Sequence, residues 1–259
     1  MRRARHGSRF TRRFEDTTSW LAVHTDKTSV SELMRVSWCL SGASPNGWLP
    51  PARVPSSIAR RHVSSLASRL LPESRSSHEA TLLLDGRVLV IGGKDIGNHR
   101  MSTTLLYDPV TDKWNDAGSL SEARAGHSAT LFPDGSVLVA GGSDDYLNYL
   151  CSAELFDSVS KQWRNVAKMP FARSGHGAAP LPDGRILLIG GATGETRRAS
   201  VVLSTTVLYG PKTDTWVEGP SLPAARSYAH VLWNEEFIYL IGGYDENEDP
   251  TDTVFRLNR

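Results

Sequence analysis

Residues 128–142, reading Ser-Ala-Thr-Leu-Phe-Pro-Asp-Gly-Ser-Val-Leu-Val-Ala-Gly-Gly, return in close variants along most of the chain. Relatives occupy residues 80–93 and 181–191, and a looser copy ends in Gly242-Gly243. Gly92 precedes Gly141 by 49 residues, Gly141 precedes Gly190 by 49, and Gly190 precedes Gly242 by 52. Trp114, Trp163 and Trp216 follow the same step, each ten residues before an arginine (Arg124, Arg173, Arg226). A unit of about fifty residues cannot cover its own apolar faces, so units repeated at this period must stack on one another.

Each unit reads as four short strands. In the second, the strand expected over residues 127–132 runs into the turn Pro133-Asp134-Gly135, where glycine supplies positive φ. Residues 136–140 are apolar on both faces, as a strand covered on two sides must be. Gly141-Gly142 ends that strand and opens a polar loop, a third strand covers residues 153–157, and a turn at 158–161 leads to a fourth strand around Trp163. The pairs Gly92-Gly93, Gly141-Gly142, Gly190-Gly191 and Gly242-Gly243 remove side chains where neighbouring units come close. Trp114, Trp163 and Trp216, with Tyr107, Phe156 and Tyr209, supply rings to the interfaces.

A Gly-Gly pair after an apolar strand, an aromatic-Asp pair after the third strand (Tyr107-Asp108, Phe156-Asp157) and a tryptophan six residues later together resemble the kelch repeat. The variety with a Leu-x-Asp-Gly-Arg-Val-Leu turn, found also around galactose oxidase-type propellers, is similar to residues 83–89. The resemblance covers residues 71–259 and weakens at the end, where Gly210 follows Tyr209, Arg256 follows Phe255 and no fourth tryptophan appears. It implies an all-β propeller of four-stranded blades around a central channel. Residues 71–259 hold about four such blades. A four-bladed ring, a five-bladed ring that uses residues 20–65, and an open arc are all compatible with this number. An arc would leave a terminal blade face uncovered for self-association or a partner.

Residues 1–70 form a separate, Ser- and Pro-rich basic extension. Residues 1–75 carry 13 Arg and Lys against 5 Asp and Glu, net +8, and residues 76–259 carry 16 against 23, net −7. Arg2, Arg3, Arg5, Arg9, Arg12 and Arg13 make a basic tail, the one part of the chain suited to nucleic acid, anionic lipid or targeting. Gly42 stands 50 residues before Gly92, which leaves open two readings of this extension, a decayed blade or closing strand on the one hand and a flexible or independently packed segment on the other. No secretory signal is recognisable, because acidic and polar residues follow Arg12-Arg13 where an apolar region is required, and the cytoplasm is the default compartment. No apolar run reaches eighteen residues, which excludes a membrane-spanning helix. Cys39 and Cys151 have no metal-ligand spacing and are expected as reduced thiols.

His78, His127 and His176 recur at 49-residue steps, but Tyr228 or Ala229 breaks the series, so structural histidines hydrogen-bonded within the blade are expected rather than a metal ring. Arg75, Arg124, Arg173 and Arg226 read as pins between blades. The galactose oxidase-like resemblance raises copper chemistry, yet Tyr228, His230, Cys39 and Cys151 form no recognisable ligand motif. No nucleophile elbow singles out a serine, and the glycine pairs lack the helix and Lys-Ser/Thr of a phosphate loop. No cofactor is expected. The loops after the glycine pairs are the candidate binding surface: residues 94–100 with Lys94, His99 and Arg100; 143–149 with Asp144, Asp145 and Tyr146; 192–200 with Arg197 and Arg198; and 244–249 with Asp245 and Glu246. The expected function is non-enzymatic binding of a protein, or of a glycan. A carbohydrate-active or oxidase-type enzyme and an incomplete propeller fragment are the alternatives.

Overall fold

The computed structural model describes residues 70–194 and 199–259, and its elements are seventeen β-strands. The first blade is β1 (Glu79–Leu82), β2 (Val88–Ile91), β3 (Thr103–Asp108) and β4 (Lys113–Ser119), paired antiparallel in chain order. The second repeats it with β5 (Ser128–Leu131), β6 (Val137–Ala140), β7 (Ala153–Asp157) and β8 (Gln162–Val166). In the third, β9 (Gly177–Pro180) and β10 (Ile186–Ile189) are followed by a two-stranded ribbon, β11 (Ala192–Thr193) with β12 (Val201–Val202). The chain then returns to the blade as β13 (Thr206–Gly210) and β14 (Thr215–Glu218). The fourth has three strands, β15 (His230–Trp233), β16 (Phe237–Ile241) and β17 (Val254–Asn258).

The second strand of each blade explains why blades stack. Strands β2, β6 and β10 are buried along their whole length, and pleating sends alternate residues to opposite neighbours. Leu89 and Ile91 join Val137, Val139 and Phe156 in the core between blades one and two. Leu138 and Ala140 meet Ile186, Leu188 and Tyr209 between blades two and three, and Leu187 and Ile189 meet Ile238 and Leu240 between three and four. The aromatic pairs sit where the repeat pattern places them. Phe156 lies 5.0 Å from Trp163, and Tyr209 lies 4.9 Å from Trp216, centroid to centroid.

Polar contacts reinforce each junction. The Trp163 indole N–H donates to the Ala117 carbonyl of the preceding blade at 3.0 Å, and that of Trp216 to the Ala167 carbonyl at 2.7 Å. The backbone N–H of Gly126 donates to Ser77 O, that of Gly175 to Gly126 O, and that of Tyr228 to Gly175 O. These four residues share a left-handed backbone, with φ of 52°, 66°, 62° and 50° from Ser77 to Tyr228. Strand β1 packs on β5, β5 on β9 and β9 on β15, and no comparable contact joins β15 to β1. Among the described residues no bond returns from Ser77 to Tyr228, and the indole N–H of Trp114 has no acceptor. The four blades therefore form an open arc. Expectations placed on residues 1–69 lie outside the described residues, as does Cys39, while Cys151 is half-buried beside the second core.

The glycine pairs answer to sterics. Gly141 has φ of +64°, and a Cβ there would run into the Arg173 carbonyl oxygen of the next blade; Gly86 has φ of +84° but faces open space. Gly86→Ala should cost about 1 kcal/mol, from backbone strain alone. Gly141→Ala adds a collision in a packed junction and should cost about 3 kcal/mol. Denaturant unfolding of the two variants beside the parent checks the difference.

Candidate functional site

Antiparallel order brings the β2–β3, β6–β7, β10–β13 and β16–β17 connections to one end of the arc, together with the arginines that precede each inner strand. This end holds the glycine pairs and the candidate loops. Three of the loops have one construction. Lys94 bridges Arg100, Ser143 bridges Tyr149 and Tyr244 bridges Pro250, and each closes a short turn. Inside the turn an aspartate carboxylate accepts backbone N–H bonds. Asp95 takes those of Gly97 and His99 at 2.7 and 2.9 Å, Asp144 that of Asn148 at 2.8 Å, and Asp245 those of Asn247 and Asp249 at 2.8 and 3.1 Å. The residue three places after each aspartate has positive φ: Asn98 at 65°, Leu147 at 65° and Glu248 at 61°. Such turns fix the backbone without help from the tip side chains.

The loops are also tied to one another. The backbone N–H of Arg100 donates to the Asp145 carboxylate of the next blade, and the Ser200 hydroxyl donates to Glu248. The Arg100 guanidinium donates to Asn98 O at 3.1 Å, and His99 Nδ1 lies 3.2 Å from Asp95. Ile96 and Tyr146 stand at the tips, 94% and 86% exposed, which makes them the two most water-exposed large apolar side chains on these loops. Glu246 is exposed at the third tip. Lys94, His99 and Arg100 give the first loop a basic cast, whereas Asp144 and Asp145 make the second acidic and Asp245, Glu246, Glu248 and Asp249 make the fourth strongly so.

The structure thus divides the candidates by role. Asp144 and Asp245 hold their turns, Asp145 links two loops, and Tyr146 and Glu246 are free to meet a partner at the tips. Arg197 and Arg198 lie outside the described residues. Sequence reasoning passed over Asp95, the counterpart of Asp144 and Asp245, and over Ile96. The signal for Asp95 was present, since aspartate stands two places after the second glycine in three of the four units.

Behind the loops, the inner strands enclose a cavity of about 810 Å³, entered past Lys94, Arg100, Tyr149 and Tyr244 and floored by Leu84, Pro133 and Trp233. Of the repeat histidines, His127 and His176 stand in its wall, but their bonding differs from that expected. His176 Nε2 lies 2.9 Å from the Ser128 hydroxyl of the preceding blade, so the bond crosses a junction rather than staying within a blade. Neither ring nitrogen of His127 bonds another side chain. The arginines link blades through their carbonyls, while their guanidinium groups bond within their own blade. Arg124 donates to Gly141 O and Ser152 O at 2.9 and 3.2 Å and pairs with the buried Glu154 carboxylate at 2.9 Å. Its own carbonyl accepts from Gly93 N of the blade before. Among the described residues no group of three or more His, Cys, Asp or Glu side chains converges.

Burial keeps the histidines neutral. It lowers the pKa of His78 to about 4 and of His176 to about 3, with the nearby Arg75 and Arg173 charges adding to the effect, and it pushes His127 well below 6.5. Glu79, on the cavity wall, shifts the other way, and desolvation raises its carboxyl to about 8. The two effects have opposite signs. For a histidine with a depressed folded pKa, the unfolded chain binds more protons as pH falls below ~6.5, so stability is lost on acidification. For a carboxyl with a raised folded pKa, the folded chain holds the extra proton, so stability declines as pH rises from ~4.3 towards 8. The melting temperature should therefore drop from pH 6.5 to 4.5 and also decline from pH 6.5 to 8.5. In Glu79→Gln the alkaline decline should vanish while the acid one persists, as thermal melts across this range would show.

Comparison with known proteins agrees with this architecture. The family model of the KLHDC2/KLHL20/DRC7 Kelch-repeats domain matches residues 78–258. The solved structure of YjhT, a kelch-type propeller, superposes with a TM-score of 0.63 at 16% identity, covering 73% of this chain and 70% of that one. A second family model, the helix-turn-helix domain of transposase family ISL3, matches residues 4–38. The transposase for insertion sequence element IS1557 of Mycobacterium tuberculosis, in two strains, is 52% identical over 40 residues. That stretch is 15% of this chain and 9% of the transposase. The chain thus spans about a tenth of the length of these curated relatives.

Proposed function

Because this chain belongs to the kelch-repeats domain family, which commonly mediates protein interaction, we propose that it is a non-enzymatic binding module that captures a protein through its post-glycine loop face. One observation carries this reading: Ile96 and Tyr146, large and apolar, are held in water at the tips of loops whose shape is fixed by their own aspartates. A preorganised loop loses little entropy on binding, and exposed aromatic and aliphatic tips are the kind of side chain that dominates protein interfaces. The opposite charges of the Lys94–Arg100 loop and the Asp245–Asp249 loop would orient a partner with complementary charges at the two positions. The apolar tips favour a protein over a glycan. The double variant Ile96→Ala/Tyr146→Ala should keep the parent melting temperature and lose affinity for a captured partner by about tenfold or more. Val159→Ala, exposed at the far end of the blade, serves as control. Equal capture by the double variant and the control would remove the loop face from consideration.

A second reading concerns the amino-terminal segment alone. Its likeness to a transposase helix-turn-helix over residues 4–38, with six arginines in the first thirteen residues, favours contact with nucleic acid there. Fluorescence anisotropy of the full chain with duplex DNA should show binding that weakens steeply with salt. It should also fall when Arg2, Arg3, Arg5, Arg9, Arg12 and Arg13 are replaced by glutamine.

A further inference from the structure

The junctions between blades repeat one plan, and one of them is left chemically incomplete. Between blades two and three, Ser128 and His176 close on each other across the wall of the cavity at 2.9 Å. One repeat earlier, the same two places are held by Glu79 and His127, as subtraction of 49 residues from each shows. There the contact is absent. The Glu79 carboxylate makes no hydrogen bond or ion pair with a described residue, and neither nitrogen of His127, a side chain only 3% exposed, bonds another side chain, its nearest polar neighbour being the Ile91 backbone. Thr81 follows Glu79 on the same face of β1, since Ala80 and Leu82 pack on the opposite face. It too is 3% exposed, and its hydroxyl oxygen has no partner. Glu79, Thr81 and His127 all line the cavity.

The recess therefore offers a carboxylate, a hydroxyl oxygen and a neutral imidazole nitrogen. The nearest buried cation of the junction does not serve it, because the Arg124 guanidinium is committed to Gly141 O, Ser152 O and Glu154. A primary ammonium group carries one positive charge and three donors, which matches one anionic and two neutral acceptors. We propose that Glu79, Thr81 and His127 form a binding recess for a primary ammonium group, entered through the cavity from the loop face. The ammonium comes either from a lysine side chain of the protein bound at that face or from a free alkylamine. In the first case the inference rests on the proposed loop-face function and names a specificity element for it. An ammonium seated beside Glu79 favours the ionised carboxylate, so binding near neutral pH releases a proton.

Isothermal titration of the full chain with n-butylammonium and with N-acetyl-lysine methylamide tests this, with n-butanol as the uncharged control. At pH 7, in two buffers of different ionisation enthalpy, both amines should bind with proton release and butanol should not. Preference for the lysine derivative would assign the ammonium to a peptide, and preference for butylammonium to a free amine. Glu79→Gln should weaken amine binding at least tenfold, and Thr81→Val should weaken it less. Glu79→Ser, which places in blade one the residue that blade two uses, secures the test against misfolding, since it should melt cooperatively and still lose the amine. Absence of amine binding by the parent chain, or equal binding by Glu79→Gln, would overturn the proposal. The Ile96→Ala/Tyr146→Ala variant should bind the amines as the parent does, so failure of the loop-face reading and failure of the recess are separately visible.

Discussion

Everything in this molecule hangs on a guanidinium buried between two blades. Arg124 and Arg173 are fully buried, and Arg75 and Arg226 nearly so. A charge withdrawn from water is tolerated where its donors are answered, and for Arg75, Arg124 and Arg173 backbone carbonyls at the end of the second strand and the start of the third do so, whereas Arg226 in the last blade reaches the Thr253 hydroxyl and leaves two nitrogens without a partner. The same residues bind backwards through the main chain, for the carbonyls of Arg124, Arg173 and Arg226 accept from Gly93, Gly142 and Gly191. One residue thereby fixes the end of its own blade and its distance from the last. The glycine pairs follow from this demand, since a Cβ at Gly141 or Gly190 would occupy the place of the incoming carbonyl.

The acid joined to this arrangement varies: Arg75 meets the half-exposed Glu73 carboxylate at 3.2 Å, and among the described residues Arg124 alone meets a buried one. Glu154 is buried, pairs with Arg124 and also accepts from Ser121 N at 2.8 Å. Arg173 has no such counter-ion, and burial brings its pKa down to about 10, still charged at neutral pH. Carbonyl dipoles alone thus suffice to hold the clamp, and the carboxylate in blade two is an addition to it.

The scaffold was legible in the sequence because its causes are periodic. A 49-residue step in glycine, tryptophan and arginine reports a contact made once per unit, and the doubly apolar second strand reports burial on both sides. The third strand, Ala153–Asp157, and the fourth, around Trp163, also fall where the pattern put them. What escaped depends on departures from the period. Among the described residues the arc does not close, and this is visible only in bonds that are missing, such as the acceptor of Trp114. The histidine bond crosses to the preceding blade, because its partner Ser128 belongs to a position occupied by Glu79, Gly177 and His230 in the other units, and no repeat signal marks it. In the loops, charge drew attention to Asp144 and Asp245, whose carboxylates are spent on their own backbone, and away from Ile96.

The aspartate turn has a consequence for how such a face can change. Because Asp95, Asp144 and Asp245 shape their loops from inside, the tip residues contribute almost nothing to folding, and their replacement is thermodynamically silent. Selection on what the face recognises is then uncoupled from selection on the blades beneath it. The chain can drift through many tip sequences on an unaltered frame, and short segments transplanted among the three aspartate-closed loops would keep the conformation of their new host.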